Sequence, residues 1–116
     1  MLLNFKKIFK EIGIKKNDKV LLASSLLGIS ILYKNKNKKF TPSKILDDLK
    51  DLIGKNGTLL LNAFNWEFCQ KKIYNYNKTK SLSGHLSNIA LSRSDFIRSQ
   101  NPIYSFAVTG KDKKKI

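Results

Sequence analysis

The sequence of 116 residues predicts one α/β domain with a βαβ-based, mostly parallel sheet and flanking helices. Two short apolar runs, Lys19 to Ala23 and Thr58 to Leu61, are bounded by turn residues and are typical of buried strands. A pattern with helical spacing lies between them. Strand, crossover helix and strand in this order form a βαβ unit, whose two strands should be parallel.

The first elements each carry a clear signal. Between Leu3 and Ile12, apolar residues recur at helical spacing with lysines between them, and Gly13 is suited to end this helix. The run Lys19 to Ala23 then predicts a buried strand, because it is short and continuously apolar. Ser24 and Ser25 follow where such a strand hands over to a loop.

The middle of the chain contains the most regular helix pattern. Thr41 can cap the free N–H groups of a helix start, and Pro42 suits the first helical position. The apolar residues from Ile45 to Ile53 fall on one stripe, and Gly54 ends it. The lysine-rich segment 34–39 before this helix predicts a solvated loop.

The remainder predicts a long loop, a helix and a third strand. Residues 62–81 lack periodicity and are predicted to form a structured loop, which at this length is usually functional. Ser83 is predicted to cap a helix that runs through Leu86 to Leu91. The run Ser105 to Gly110 predicts the third strand.

The strongly basic composition suggests a polyanion partner but does not require one. The formal charge is +15, yet only Arg93 and Arg98 among the 23 basic residues are arginines. Arginine is the side chain suited to bidentate phosphate and base contacts. Composition alone explains the lysines, so nucleic acid is disfavoured as a partner. A small basic protein that binds nucleic acid or another polyanion stays as the alternative.

Several kinds of chemistry find no support in the residues. No apolar run is long enough to span a membrane, and no histidine, cysteine and carboxylate set has metal-ligand spacing. Cys69 is expected to fill a small buried apolar role, and His85 a surface or packing role. We therefore assign no catalytic residue and no metal ligand. The single cysteine and the absence of a signal peptide favour the cytoplasm.

Two loops are placed where a βαβ unit holds ligands. Ser24, Ser25 and the residues to Gly28 follow the first strand, where hydroxyls and backbone N–H groups could meet a phosphate or a pantetheine amide. The loop from Phe64 to Glu67 follows the second strand, and its amide, carboxylate and rings suit a cationic or sugar-like substrate. A serine turn and an aromatic mini-core explain the same residues without a ligand.

The order of four segments resembles the aminoglycoside N3-acetyltransferase family. The similar segments are Val20 to Leu26, Thr58 to Trp66, Lys80 to Leu86 and Arg98 to Ser105. They occur in family order and extend over nearly the whole chain. The sequence departs from the family pattern in three places: Ala23 stands for a histidine, Asn62-Ala63 for Pro-Thr, and Asn101 for a histidine.

The resemblance implies an α/β enzyme that transfers an acetyl group from acetyl-CoA to an amine of an aminoglycoside or related amino sugar. It places Ser24, Ser25 and Leu26 near the acetyl-CoA cosubstrate. It also places Phe64, Asn65 and Trp66 beside the acceptor. Residues 1–116 correspond to the N-terminal half of that fold, as a single partial domain. The chain is therefore expected to be truncated and to have little activity alone, unless a second chain supplies the missing half with its general base.

Overall fold

A computed structural model of the chain describes residues 3–115 and confirms the α/β class. The helices are α1 (Phe5–Glu11), α2 (Leu27–Asn35), α3 (Ser43–Ile53) and α4 (His85–Ser92), and the strands are β1 (Lys19–Leu22), β2 (Thr58–Asn62), β3 (Ile97–Arg98) and β4 (Phe106–Gly110). Two 3-10 turns lie at Glu67–Gln70 and Lys113–Lys115. No helix in this part of the chain is long and apolar enough to cross a membrane.

The sheet is mixed, with strand order β1-β2-β4-β3. As the sequence predicts, β1 and β2 are parallel. Strand β4 is antiparallel to both of its neighbours, so the expectation of a mostly parallel sheet applies to the β1–β2 pair alone. The cause is the short turn between β3 and β4, which returns the chain as a hairpin and inserts β4 beside β2.

Helix α2 was not predicted from the sequence. The structure begins this helix at Leu27, directly after the serine pair, and ends it at Asn35, inside the segment predicted as a solvated loop. Gly28 and the β-branched Ile29 and Ile31 are weak helix formers, which hides the pattern. Two helices, α2 and α3, therefore connect the parallel strands.

The core lies between one face of the sheet and helices α1, α3 and α4. Leu46 and Leu49 of α3 and Leu59 of β2 are fully buried there. This confirms the predicted apolar stripe and the predicted burial of the second strand. The buried core cluster comprises Phe5, Leu26, Ile45, Leu46, Leu49, Ile53, Leu59, Leu61, Leu86, Ala90, Phe96 and Ala107.

Strand β1 is an edge strand, which corrects the expectation that it is buried. Its residues alternate between exposed and half-buried, and Leu21 is 58% exposed. Further along the chain, the apolar side chains of Leu27 and Ile31 in α2 are also exposed. A continuous apolar run therefore predicted the strand but not its position in the sheet, because burial of a strand depends on what later segments cover.

Neither predicted side-chain cap is present. Helix α3 begins after Pro42, and Thr41 contributes its backbone carbonyl, which accepts from Lys44 N at 3.0 Å. Helix α4 begins after Gly84, whose positive φ of 135° suits glycine, and no side chain caps it. The hydroxyl of Ser83 makes other hydrogen bonds, which are described below.

An ion-pair cluster joins α3 to the segment after α4. Asp95 accepts two hydrogen bonds from the Arg93 guanidinium, at 3.0 and 2.9 Å, and also pairs with Lys50. Hydrogen bonding to Arg93, with a smaller contribution from Lys50, holds the pKa of the Asp95 carboxyl well below its usual value. Arg93 also pairs with Asp47 at 2.8 Å.

Asp95→Asn is expected to lower the free energy of unfolding by about 1 kcal/mol at pH 7. The pKa of Asp95 is lowered on folding, so its contribution is present above the unfolded pKa of about 3.9 and is lost as pH falls toward the folded pKa. Urea unfolding at pH 7 and pH 2.5 checks this, because the free energies of unfolding of Asp95→Asn and of wild type should differ less at pH 2.5 than at pH 7. Asp51→Asn is the control, since Asp51 is 67% exposed and makes one ion pair. If the free energies of unfolding of Asp95→Asn and wild type differ by the same amount at both pH values, the lowered pKa of Asp95 does not contribute to stability.

Candidate functional site

The two loops predicted to bind ligands follow β1 and β2 at the same edge of the sheet, because these strands are parallel. Ser24 and Ser25 are exposed, whereas Leu26 is buried in the core and precedes α2. Among the hydrogen bonds between residues 3–115, neither serine hydroxyl donates or accepts. Both hydroxyls therefore remain available to a ligand.

The loop after β2 is rigid because its central side chain is buried. Asn65 is 3% exposed, and its amide donates to the Lys80 carbonyl at 2.7 Å while its oxygen accepts from Glu67 N at 2.8 Å. Its backbone N–H donates to the Ile103 carbonyl at 3.0 Å. Asn65 thus braces the loop with both polar atoms, a role that the sequence pattern did not reveal.

Aromatic rings surround the same loop. Phe64 contacts Trp66, Tyr104 and Phe106 edge to face, with ring centroids 6.2, 5.2 and 5.4 Å away. Trp66 is 42% exposed and Tyr104 is 54% exposed. Of the three residues predicted to lie beside the acceptor, Phe64, Asn65 and Trp66, Trp66 is therefore the most exposed. Phe64 packs against the Trp66 ring.

Ser83 and Gly84 bring the two loops together. The Ser83 hydroxyl accepts from Phe64 N at 3.1 Å and donates to the Asn62 carbonyl at 2.8 Å. A Cβ on Gly84 would lie 3.3 Å from the Ser24 carbonyl oxygen. The loop that begins with Ser24 and Ser25, called the serine loop below, therefore packs against this glycine. The loop from Phe64 to Glu67 is called the aromatic loop. The N-terminus of α4, with its uncapped N–H groups, accordingly lies between the loops.

A cavity of about 380 Å³ lies beside the loop after β2. Asn65, Glu67, Tyr74 and Lys80 are among its lining residues, and Glu67 is the carboxylate in that lining. Glu67 has a loose ion pair with Lys72 at 3.8 Å. The lining therefore combines one carboxylate and the Tyr74 ring with two lysines, Lys78 and Lys80.

Arg98 is the residue that sequence reasoning missed. It is 6% exposed, and its guanidinium donates to the Ser105 hydroxyl at 2.8 Å, to the Ala63 carbonyl at 3.1 Å and to the Thr79 carbonyl. It also lies over the Tyr74 ring at 5.3 Å. Arg98 thus joins β3 to Thr79, near the end of the segment 62–81, and to Ala63, which directly precedes the loop from Phe64 to Glu67. The signal available in the sequence was that Arg98 is one of only two arginines and directly follows the apolar pair Phe96-Ile97.

Other predicted residues lie outside this arrangement. His85 is exposed at the first position of α4. Cys69 is exposed in the 3-10 turn, which corrects the expectation that it is buried. Within residues 3–115 no group of three histidine, cysteine or carboxylate residues could hold a metal ion.

Comparison with known proteins identifies both the family model and the fold that this chain matches. The family model described as aminoglycoside 3-N-acetyltransferase matches residues 30–116. No match to a curated protein sequence is found. The YokD protein from Bacillus subtilis superposes with a TM-score of 0.79 at 23% sequence identity, covering 96% of this chain and 51% of that chain.

Two further solved structures that the chain matches are complexes with a small molecule. AAC-IIIb in binary complex with CoASH gives a TM-score of 0.72 at 16% identity, covering 95% of this chain and 46% of that one. AAC-VIa bound to sisomicin gives a TM-score of 0.71 at 15% identity, covering 96% and 46%. The chain spans about half the length of the solved structures that it matches.

Proposed function

This chain belongs to the aminoglycoside 3-N-acetyltransferase family, and from that premise we propose that it takes part in acetyl transfer from acetyl-CoA to an amine of an aminoglycoside or related amino sugar. The observation that carries the proposal is the convergence of the serine loop and the aromatic loop on Ser83 and Gly84. Two substrates that react must lie within contact distance of each other, and this arrangement brings their predicted loops together.

The serine loop suits the cosubstrate. Ser24 and Ser25 present exposed hydroxyls that make no hydrogen bond to residues 3–115. The neighbouring N-terminus of α4 adds uncapped backbone N–H groups. These are the donors that phosphate and amide oxygens of a CoA-type molecule require. Leu26 is buried, so its contribution is to anchor this loop in the core.

The aromatic loop suits the acceptor. Trp66 and Tyr104 offer exposed ring surface, and Glu67 offers a carboxylate to a protonated amino group in the adjacent cavity. Phe64 and Asn65 hold the loop in place rather than extending into solvent. AAC-VIa, which shares this fold, is described with sisomicin bound.

The reaction also needs a proton acceptor. The amine nitrogen attacks the thioester carbonyl, a C–N bond forms, the C–S bond breaks, CoA leaves as the thiolate, and a base removes the ammonium proton. No residue in 3–115 is assigned to that role, because the single histidine, His85, lies exposed at the start of α4. We therefore propose that residues 3–115 alone transfer little acetyl group and that the general base lies outside them. A cytoplasmic location remains a prediction.

Calorimetric titration with acetyl-CoA tests the cosubstrate loop. We expect saturable binding with a Kd of roughly 0.1–1 mM, and at least about fivefold weaker binding for the double variant Ser24→Ala/Ser25→Ala, since each lost hydrogen bond costs about 1 kcal/mol. Ser94→Ala is the control, because Ser94 is also exposed. Absence of heat at millimolar acetyl-CoA with folded protein, or equal affinity in the double variant, would overturn the assignment. CoA release measured with an aminoglycoside present should stay near background.

A further inference from the structure

Arg98 carries a buried charge without a buried counter-charge. The residue is 6% exposed, and none of the ion pairs between described residues includes it. Its described partners are two backbone carbonyls, the Ser105 hydroxyl and the Tyr74 ring, all of them uncharged. Buried charges in proteins are normally paired, because leaving water is costly. The charge of Arg98 is therefore satisfied by uncharged groups alone among the described residues.

The guanidinium has donors left for such a partner. An arginine has five N–H groups. The Nε–H donates to Ser105, one N–H on Nη1 donates to Thr79, and one on Nη2 donates to Ala63. One N–H on each terminal nitrogen is thus uncommitted among the described contacts. Each of these N–H groups can donate a charge-assisted hydrogen bond to an oxygen of a phosphate or carboxylate.

A cavity of about 350 Å³ has Arg98 among its lining residues. Lys78 and Lys80 also line it, and the described lining contains no carboxylate. Asp95, which neighbours the lining residue Phe96 in sequence, is already paired with Arg93 and Lys50. The described lining of this cavity therefore carries three positive charges, from Arg98, Lys78 and Lys80. The carboxylate of the neighbouring cavity, Glu67, is paired with Lys72 at 3.8 Å.

From this arrangement we propose that the cavity beside Arg98 binds a phosphate group, held by the two uncommitted N–H groups of Arg98 and by the ammonium groups of Lys78 and Lys80. Leu91 and Phe96 give the cavity an apolar wall, which favours a phosphate monoester of an organic molecule over free phosphate. The site does not include Ser24 or Ser25, but it shares Lys78 and Lys80 with the cavity proposed to receive the acceptor amine. Phosphate binding is measured without either substrate of acetyl transfer, so failure of one proposal is distinguishable from failure of the other.

Titration of ¹⁵N-labelled protein with inorganic phosphate and with phenyl phosphate tests this proposal. Backbone amide shifts should change saturably at Thr79, Lys80 and Arg98, with millimolar Kd. Tighter binding of phenyl phosphate identifies an organic monoester as the ligand class, and equal binding identifies free phosphate. Either result supports the site. Shift changes that spread over the lysine surface without saturation would overturn it, and would indicate general attraction of polyanions to a chain of charge +15.

Charge-matched variants make the test specific. Lys78→Gln/Lys80→Gln should weaken phosphate binding at least about fivefold. Lys38→Gln/Lys39→Gln should change it less than about twofold, although it removes the same charge beside a different cavity, the one lined by Phe5 and Tyr33. These lysines are exposed, so both doubles are expected to fold. Equal weakening in the two doubles would overturn the proposal.

Discussion

Arg98→Met is expected to lower the free energy of unfolding by about 3–5 kcal/mol, because several buried acceptors lose a hydrogen-bond donor. The substitution removes the donor to the Thr79 carbonyl and to the Ser105 hydroxyl, and it removes one of the two described donors to the Ala63 carbonyl, which also accepts from the Ser105 hydroxyl at 2.9 Å. An unpaired buried polar group costs about 1–3 kcal/mol. Urea unfolding followed by circular dichroism measures the loss.

Two further variants separate geometry from charge at this position. Arg98→Lys retains the charge, but a single ammonium cannot reach three acceptors that a planar guanidinium spans, so we expect an intermediate loss. Lys7→Met removes one charge from the exposed surface of α1 and should change stability by less than about 0.5 kcal/mol. If Arg98→Met and Lys7→Met have the same effect, Arg98 does not join these segments.

Gly110→Ala is expected to be the most damaging glycine substitution, with a loss of roughly 3–5 kcal/mol or failure to fold. A Cβ there would lie 2.1 Å from the Gly57 carbonyl oxygen and 2.9 Å from the Thr58 Cα. The residue also has a positive φ of 109°. Both contacts are to backbone of the central strand region, so no side chain can move aside.

Two other glycines isolate the causes. Gly13 has a φ of 103° but open space around its Cβ position, so Gly13→Ala should cost only the backbone strain, about 1–2 kcal/mol. Gly28 lies in α2 with neither constraint, and Gly28→Ala should stabilise by about 0.5–1 kcal/mol. Thermal unfolding of the three variants should give this order. A Gly110→Ala loss no larger than that of Gly13→Ala would show that the contact is relieved by a backbone shift.

Local signals predicted the elements whose periodicity is strong. The stripe of α3, the apolar run of β2 and the third strand, β4, are all confirmed, because each pattern is long or pure enough to decide its own conformation. Helix α2 escaped prediction because Gly28 and β-branched residues weaken its pattern. The exposure of β1 escaped because the position of a strand in a sheet depends on residues far along the chain.

The candidate site was predictable in part. The loops containing Ser24 and Trp66 were located from their place after the two strands, and the parallel pairing of those strands is confirmed. The bracing roles of Asn65 and Ser83 and the buried position of Arg98 were not found. These three side chains bind backbone atoms 15 to 35 positions away, and no local sequence pattern encodes such contacts.

The position of β4 between β2 and β3 also sets the order in which the domain can fold. Strands β1 and β2 are complete once residue 62 has been synthesised, but the partner that pairs with the other edge of β2 ends at Gly110, about fifty residues later. Closing a loop of that length carries an entropic cost before any pairing rewards it. During synthesis on the ribosome, one edge of β2 therefore remains unpaired until the segment from Phe106 to Gly110 has left the exit tunnel.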